Sequence, residues 1–218
     1  MVQPMSTRHY SFFDRCIMQL DTALSSVFGN PPGTGRSNPA QDLAEPELTA
    51  AERKHSAALM RINHAGEVCA QALYQGQALT ARNQEVRDSM QQASDEENDH
   101  LLWCNQRLQE LESHPSYLGP LWYTGSFAIG ALAGAIGDRW SLGFVAETER
   151  QVVKHLEDHL QRLSNKDEKS IAILEQMKSD EAAHATNAVK SGAAELPAAV
   201  KKLMTLTSKV MTKTAYWV

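Results

Sequence analysis

The sequence has little cysteine, and its cysteines do not have the spacing of a disulfide framework or a zinc site. Its three cysteines, Cys16, Cys69 and Cys104, are odd in number, widely separated and free of any Cys-x-x-Cys pair. This excludes a disulfide framework and a zinc knuckle, and we expect a reducing compartment. Near the N-terminus, Asp14 and Arg15 interrupt the apolar run that a secretory signal requires, so we expect no export.

Positive charge is also scarce, because 21 Lys and Arg residues face 26 Asp and Glu residues and the net charge is −5. No basic face of the kind that binds nucleic acid is predicted, so we expect no nucleic acid partner. Alternating runs of β-branched residues are nearly absent, which argues against strands. A chain of 218 residues with 42% hydrophobic content is long enough for one sizeable globular domain.

Apolar residues recur at spacings of three and four over long stretches, and this pattern predicts an all-α fold. Residues 10–28 are predicted to form a short amphipathic helix, followed by a Pro- and Gly-rich linker. A capping box of Thr49 and Glu52 opens the first of four long helices, predicted at about 49–81, 85–111, 140–163 and 166–192. We expect residues 1–45 to form an accessory segment and residues 46–218 to form the main domain.

Two segments outside the four helices have a composition that suggests contact with a membrane. Residues 115–137 contain no charged residue, but Pro120 and five glycines favour a buried or interface-lying helix over a membrane span. Residues 197–218 combine apolar side chains with four lysines and no acid. This composition fits a helix on an anionic membrane, and it equally fits a helix docked on the bundle with solvated lysines.

The motif Glu-x-x-His occurs twice, 84 residues apart, as Glu97 with His100 and as Glu181 with His184. Residues three apart in a helix lie on one face, about 60° from each other. Surface helices often contain such a pair by chance, so the flanking residues decide its meaning. Apolar residues at helical spacing place both pairs on an inward-facing stripe. Two inward pairs favour a metal site over a solvated acidic surface.

A ferritin-like carboxylate site also needs one lone Glu from each of the other two helices. On the third helix, Glu149 lies in line with apolar residues and Glu147 with polar ones, so Glu149 is predicted to face inward. On the first helix the periodicity is less decisive, and Glu67 is selected by spacing. The lone Glu precedes its motif by 30 residues in the first half and by 32 in the second. The halves therefore resemble two copies of one helix hairpin.

Four buried carboxylates require compensating charge, because burying an unpaired ion is costly. Two divalent cations supply that charge, and an oxygen-rich set with two imidazoles favours iron first and manganese second over zinc. The alternative is that burial raises the pKa of the acids and keeps them neutral. Glu96 and Asp180 are each either an acceptor that orients a histidine or a solvated acid. His64 and His155 are predicted to support the fold or the site rather than bind an ion.

The segments RINHAGEVCAQALYQGQ (61–77), EENDH (96–100), ETERQVVKH (147–155) and DEAAH (180–184) resemble the demethoxyubiquinone hydroxylases, ferritin-like di-iron monooxygenases of ubiquinone biosynthesis. The resemblance covers residues 48–218. It implies a ferritin-like four-helix bundle of two hairpins joined by an apolar crossover, with accessory N- and C-terminal helices. Matched position by position, it implies six iron ligands: Glu67, Glu97, His100, Glu149, Glu181 and His184.

The resemblance also implies an activity, in which two irons and O₂ hydroxylate the ring of a polyprenylated demethoxyubiquinol, with NADH as an ultimate reductant. We expect peripheral attachment to the cytoplasmic face of the bacterial cell membrane, and a homo-oligomer or a complex of ubiquinone biosynthesis. The segment GTGRSN (33–38) lacks the third glycine of a dinucleotide motif, so no Rossmann-type pocket is predicted. Electrons are therefore expected from a partner reductase or from NADH near the quinone.

The main alternative is a ferritin-like protein that binds iron or scavenges peroxide. That alternative predicts many irons per chain and no affinity for lipid. A metal-free scaffold bundle is a second alternative, and it predicts that chelators leave the stability unchanged.

Overall fold

Seven helices make up most of the described chain. The computed structural model describes residues 11–29 and 31–218, and these ranges contain no strand. In chain order the helices are α1 (Phe12–Phe28), α2 (Ala50–Thr80), α3 (Gln84–Glu110), α4 (Gly119–Ile136), α5 (Asp138–Arg162), α6 (Glu168–Lys190) and α7 (Ala198–Ala215). The all-α prediction is confirmed, and residue 10 of the first predicted helix lies outside the described residues.

Two antiparallel hairpins form a four-helix bundle, α2 with α3 and α5 with α6. These are the four long helices that the sequence predicts. Hydrogen bonds join α2 to α5, as where Gln77 Nε2 donates to Ser141 O at 2.9 Å. Contacts between α3 and α6 close the other side of the bundle.

The helix starts follow from local capping. At α2, Glu52 N–H donates to Thr49 Oγ1 at 3.3 Å and Thr49 N–H donates to Glu52 Oε2 at 2.9 Å, which is the predicted capping box. At α3, Glu85 N–H donates to Asn83 Oδ1 at 2.7 Å. Asp138, the first residue of α5, accepts from Asn83 N–H at 2.8 Å and so fixes the turn between α2 and α3.

The uncharged segment 115–137 forms α4, which packs lengthwise on α2. A Cβ added at Gly76 would meet the backbone of Phe127, and a Cβ added at Gly130 would meet the backbone of Leu73. The two helices therefore approach closely because glycine removes the side chain at the contact. Thr80 Oγ1 donates to Ala131 O at 3.0 Å and adds a polar link. The prediction of a packed helix is confirmed for one face of α4.

The opposite face of α4 is exposed and apolar, with Leu121, Leu132 and Ile136 each more than half exposed. Within the described ranges, no helix has the combination of length and hydropathy needed to cross a bilayer. Helix α7 has a similar outer face with Leu206 and Val210, while its last residue, Ala215, is buried against the bundle.

The linker between α1 and α2 is tied to the bundle by ion pairs and hydrogen bonds. Arg107, a fully buried residue of α3, donates to Glu45 at 3.0 Å and to Asp167 at 2.8 Å. Thr34 N–H donates to Asp99 Oδ1 at 2.8 Å. The predicted division of the chain at residue 45 stays a prediction, and these contacts cross it.

Candidate metal centre

Each of the four bundle helices carries one buried glutamate at mid-length, flanked by buried residues seven positions before and after it. On α2, Glu67 lies between Met60 and Tyr74, and on α3, Glu97 lies between Met90 and Cys104. On α5 and α6, Glu149 and Glu181 occupy the same kind of position. Seven residues are close to two helical turns, so each glutamate lies on the inward stripe and all four meet at one level.

The two Glu-x-x-His motifs meet across the α3–α6 interface. His100 Nδ1 lies 3.0 Å from Glu97 Oε2 and 3.1 Å from Glu181 Oε1. His184 Nδ1 lies 3.1 Å from Glu181 Oε2 and 3.5 Å from Glu97 Oε1. Glu97 and Glu181 therefore each direct one oxygen to each imidazole.

The two lone glutamates complete the group from α2 and α5. Glu67 Oε2 lies 3.5 Å from His100 Nδ1, and the ligand atoms of Glu67, Glu97, His100 and Glu181 all lie within 4.8 Å of one another. Glu149 is buried, and its Oε1 accepts from Tyr74 OH at 2.6 Å. The structure thus brings four of the six predicted residues within 4.8 Å of one another, with His184 against Glu181 and Glu149 against Tyr74.

The competing residue Glu147 points away from this group. Its Oε1 accepts from Gln151 Nε2 at 2.8 Å, and its Oε2 lies 3.5 Å from Lys201 Nζ on α7. The apolar periodicity that selects Glu149 over Glu147 therefore agrees with the position of both side chains.

The outer nitrogen of each imidazole contacts an acid of the other hairpin. His100 Nε2 donates to Asp180 Oδ2 at 3.0 Å, and His184 Nε2 donates to Glu96 Oε2 at 2.7 Å. Such a bond fixes the ring orientation and leaves Nδ1 to face the interior. Glu96 and Asp180 therefore each contact a histidine, and their role in orienting the rings stays a prediction.

An apolar cavity of about 310 Å³ adjoins the carboxylates. Glu67, Glu149 and Glu181 contribute to its wall, and the rest of the wall is mostly apolar. Side chains from α4 and α7 close it, among them Trp122, Ile129, Leu203, Met204 and Met211. The carboxylates therefore face a mostly apolar space.

Comparisons with known proteins agree with this geometry. The family described as "Ubiquinone biosynthesis protein COQ7" matches residues 54–215. The chain belongs to this family. The predicted family and its ferritin-like all-α fold are thereby confirmed.

Several similar proteins are named 3-demethoxyubiquinol 3-hydroxylase, and three of them show the extent of the match. The one from Nitrosococcus oceani is 62% identical over 214 residues, which is 98% of this chain and 100% of that protein. The one from Acinetobacter baylyi is 56% identical over 211 residues, 97% of this chain and 100% of that protein. The one from Legionella pneumophila is 54% identical over 212 residues, again 97% and 100%.

The donor set of this COQ7-family chain is chemically suited to divalent cations. Glu97 Oε1 and Glu149 Oε2 are buried and have no hydrogen-bond partner among the described residues. Burial and then the charge of Glu97 raise the pKa of Glu67 well above its usual value. Burial and then the charge of Glu181 do the same for the pKa of Glu149. Carboxylates crowded in this way require positive charge nearby, and hard oxygen donors with imidazole suit iron or manganese.

The same crowding also raises the pKa of both imidazoles, which favours their charged form. Burial lowers the pKa of His184, but its hydrogen bond with Glu181 and the nearby carboxylate of Glu97 outweigh it and raise the pKa to about 12. Burial likewise lowers the pKa of His100, and hydrogen bonds with Asp180 and Glu181 raise it well above its usual value. The acids of the site thus stabilise positive charge at both histidines.

The two further histidines named from the sequence lie elsewhere. His155 lines the cavity and its ring centroid lies 3.9 Å from that of His159, which in turn hydrogen-bonds Asn63 Oδ1 at 2.9 Å. His64 is buried, and burial lowers its pKa to about 4. Among the side-chain hydrogen bonds and ion pairs of the described residues, none joins His155 or His64 to the six site residues. The proposed supporting role of His155 stays a prediction.

Two residues at the site were not predicted from the sequence. Tyr74 lies seven residues after Glu67 on the same helix face, so its place near the site follows from helical spacing. Arg36 lies in the linker, and its Nη2 donates to Asp180 Oδ2 at 2.6 Å across 144 residues of sequence. No local pattern marks that contact.

Proposed function

We propose that this chain is an O₂-dependent di-iron monooxygenase that hydroxylates the ring of a polyprenylated demethoxyubiquinol during ubiquinone biosynthesis. The observation that carries the proposal is the buried ring of four carboxylates and two imidazoles beside an apolar cavity. The names of the similar proteins, 3-demethoxyubiquinol 3-hydroxylase, support the choice of substrate. Within this proposal, residues 46–218 form the catalytic domain.

The six side chains define two ion positions in this proposal. His100 with Glu67 would hold one ion and His184 with Glu149 the other, and Glu97 and Glu181 each direct one oxygen to each imidazole. Four carboxylates balance two divalent cations, and the hard donor set favours iron over zinc. When bound, the irons supply the reduction of O₂ and the transfer of oxygen to the ring, chemistry that side chains alone do not supply.

The remaining residues position these donors and exclude water. Asp180 and Glu96 hold the imidazoles so that Nδ1 faces the ions. Tyr74 holds Glu149 from α2 and so links the two hairpins at the site. The apolar wall of the cavity takes the quinol ring next to Glu67, Glu149 and Glu181.

The isoprenoid tail requires an apolar route to the cavity, and α4 and α7 provide one. Both helices line the cavity on one side and expose apolar residues on the other, such as Leu132 at 67% and Leu206 at 61% exposure. Helix α7 adds lysines that suit an anionic bilayer surface. We therefore place the protein peripherally on the cytoplasmic face of the bacterial cell membrane, with NADH or a partner reductase as the electron source. Assembly as a homo-oligomer or in a biosynthetic complex belongs to the same proposal.

The test is a Glu181→Ala variant in cells that lack the wild-type protein. We expect accumulation of the demethoxy quinone and retained helicity by circular dichroism, because only one donor of the site is removed. Glu175→Ala, an exposed glutamate on the same helix, is the matched control and should restore ubiquinone. Full activity of the Glu181 variant would remove that residue from the site.

The iron content of the purified chain separates the main proposal from its alternative. About two irons per chain support the monooxygenase, because the four carboxylates balance the charge of two divalent cations. Many irons per chain, together with an unchanged quinone profile in cells lacking the protein, would favour an iron-binding or peroxide-scavenging protein.

A further inference from the structure

The two hairpins support their imidazoles in nearly the same way. Asp180 and Glu96 each immediately precede the glutamate of a Glu-x-x-His motif, and each accepts from the histidine of the opposite hairpin. A glutamine one turn earlier holds the second oxygen of each acid. Gln176 Nε2 donates to Asp180 Oδ1 at 2.9 Å, and Gln92 Nε2 donates to Glu96 Oε1 at 3.0 Å. Each carboxylate is therefore oriented by its own helix.

Arg36 breaks this correspondence. Its Nη2 donates at 2.6 Å to Asp180 Oδ2, the same oxygen that accepts from His100. Within residues 11–29 and 31–218, Glu96 is paired with His184 and with no Lys or Arg. One of two matched carboxylates thus shares its charge with a guanidinium, and the other does not.

The linker and α3 hold Arg36 in place. Thr34, two residues earlier, donates its N–H to Asp99 Oδ1 at 2.8 Å. The guanidinium carbon lies 5.0 Å from the centroid of the Trp103 ring, and that ring lies 5.3 Å from the His100 ring. Arg36 is therefore held by its own contacts with Asp180 and the Trp103 ring, and by the bond that Thr34 makes to α3.

We propose that Arg36 makes the two ion positions inequivalent by weakening cation binding at the position that His100 serves, an inference that rests on the proposed metal centre. The guanidinium draws charge from the carboxylate that supports His100, so this imidazole is a weaker donor to a cation than His184. The positive charge of Arg36 also repels a divalent cation nearby. Both effects act in the same direction, and Gln176 keeps Asp180 oriented when Arg36 is removed.

The proposal is tested by titrating Co²⁺ into the purified full-length chain and recording both the heat of binding and the d–d absorption of the bound ion. We expect two binding steps of different affinity in the wild type. Arg36→Gln should tighten the weaker step by roughly threefold to tenfold, a part of the 10–100-fold effect typical of an outer partner. The other step should keep its affinity, and Arg36→Lys, which keeps the charge, should stay close to the wild type.

Two control variants separate this effect from general charge and from folding. Arg53→Gln removes an exposed arginine paired with Glu112 at 2.8 Å. It lies 14 residues before Glu67 on α2, or about 21 Å at 1.5 Å per residue, and it should leave both steps unchanged. Asp180→Asn should weaken the same step that Arg36→Gln tightens, and it should remove most of the effect of the Arg36 substitution in the double variant.

The outcomes distinguish the inference from the function on which it rests. If Arg36→Gln leaves the affinity of the weaker step unchanged, or lowers it as Asp180→Asn does, the proposed role of Arg36 is wrong. The proposed metal centre is unaffected by that result. A wild-type chain that binds no Co²⁺ would overturn the metal centre itself.

Discussion

The contacts between α3 and α6 differ in their polar groups from those between α2 and α5, on the other side of the bundle. Between α3 and α6 the contacts are charged and include both Glu-x-x-His motifs and their outer acids. Between α2 and α5 the contacts mostly use neutral donors, as where Tyr74 OH donates to Glu149 and Gln77 donates to Ser141. The cavity borders mainly the second pair, and Glu181 of α6 reaches it from the first. The bundle thus separates a charged, tightly held wall from a less charged wall suited to an apolar substrate.

The largest effect is expected from removing an ion pair between α3 and α6 that lies away from the metal centre. Arg107 of α3 and Asp167 at the start of α6 are both fully buried and lie 2.8 Å apart. Asp167→Ala leaves part of a buried guanidinium uncompensated, which costs about 3–5 kcal/mol for a fully broken pair. We expect the lower end of that range, because Glu45 and Glu110 still contact Arg107.

Urea unfolding at neutral pH measures this cost. The control is Asp158→Ala, which breaks an exposed pair with Arg162 at 3.1 Å on the other wall and should change stability by less than about 1 kcal/mol. Equal effects of the two substitutions would contradict the contrast between the walls.

The second largest effect is expected from the two acids between α3 and α6 that contact the outer nitrogens of the histidines. Asp180→Asn and Glu96→Gln each remove the carboxylate charge behind one imidazole while keeping a similar shape. We expect each to lower metal affinity or turnover by roughly 10–100-fold, the range typical for a partner of a metal-binding histidine. Metal content after dialysis and turnover of each variant check this, and unchanged values for both would show that the acids do not support the histidines.

Helical periodicity accounts for most of what the sequence predicts. It selects Glu149 over Glu147 because seven-residue spacing from apolar residues marks the inward stripe, and it places the four long helices within a few residues of their observed ends. The same pattern leaves Glu67 less certain, since polar side chains such as Asn63 and Gln71 share its face and prove to be buried and hydrogen-bonded.

Contacts between segments far apart in sequence explain what periodicity leaves out. Arg36 lies in an irregular linker, and its partner Asp180 is 144 residues away, so no local pattern could pair them. The packing of α4 on α2 depends on Gly76 and Gly130 facing each other's helix, which composition suggests but does not fix. Tyr74 is predicted in part. Helical spacing places it near the site, but its bond to Glu149 depends on how the second hairpin packs.

The smallest expected effect tests the less charged wall through its dependence on pH. His159 of α5 is fully buried, and its Nδ1 donates to Asn63 Oδ1 at 2.9 Å. Burial, and then the neighbouring His155 and Arg162, lower the pKa of His159 to about 2. In the unfolded chain the pKa is about 6.5, so below that pH the unfolded state binds a proton that the folded state does not, and stability is lost as the pH falls.

This loss amounts to about 2 kcal/mol between pH 7 and pH 5 for one such group. His159→Gln keeps a donor for Asn63 and removes the titration, so its unfolding free energy should decline less over the same range. Urea unfolding of both chains at pH 7, 6 and 5 gives the comparison, and equal declines would show that His159 is protonated in the folded state. Between α3 and α6, His100 and His184 lie beside carboxylates that favour a positive charge on the ring. A neutral His159 would therefore mean that histidines on the two sides of the bundle have different charge states.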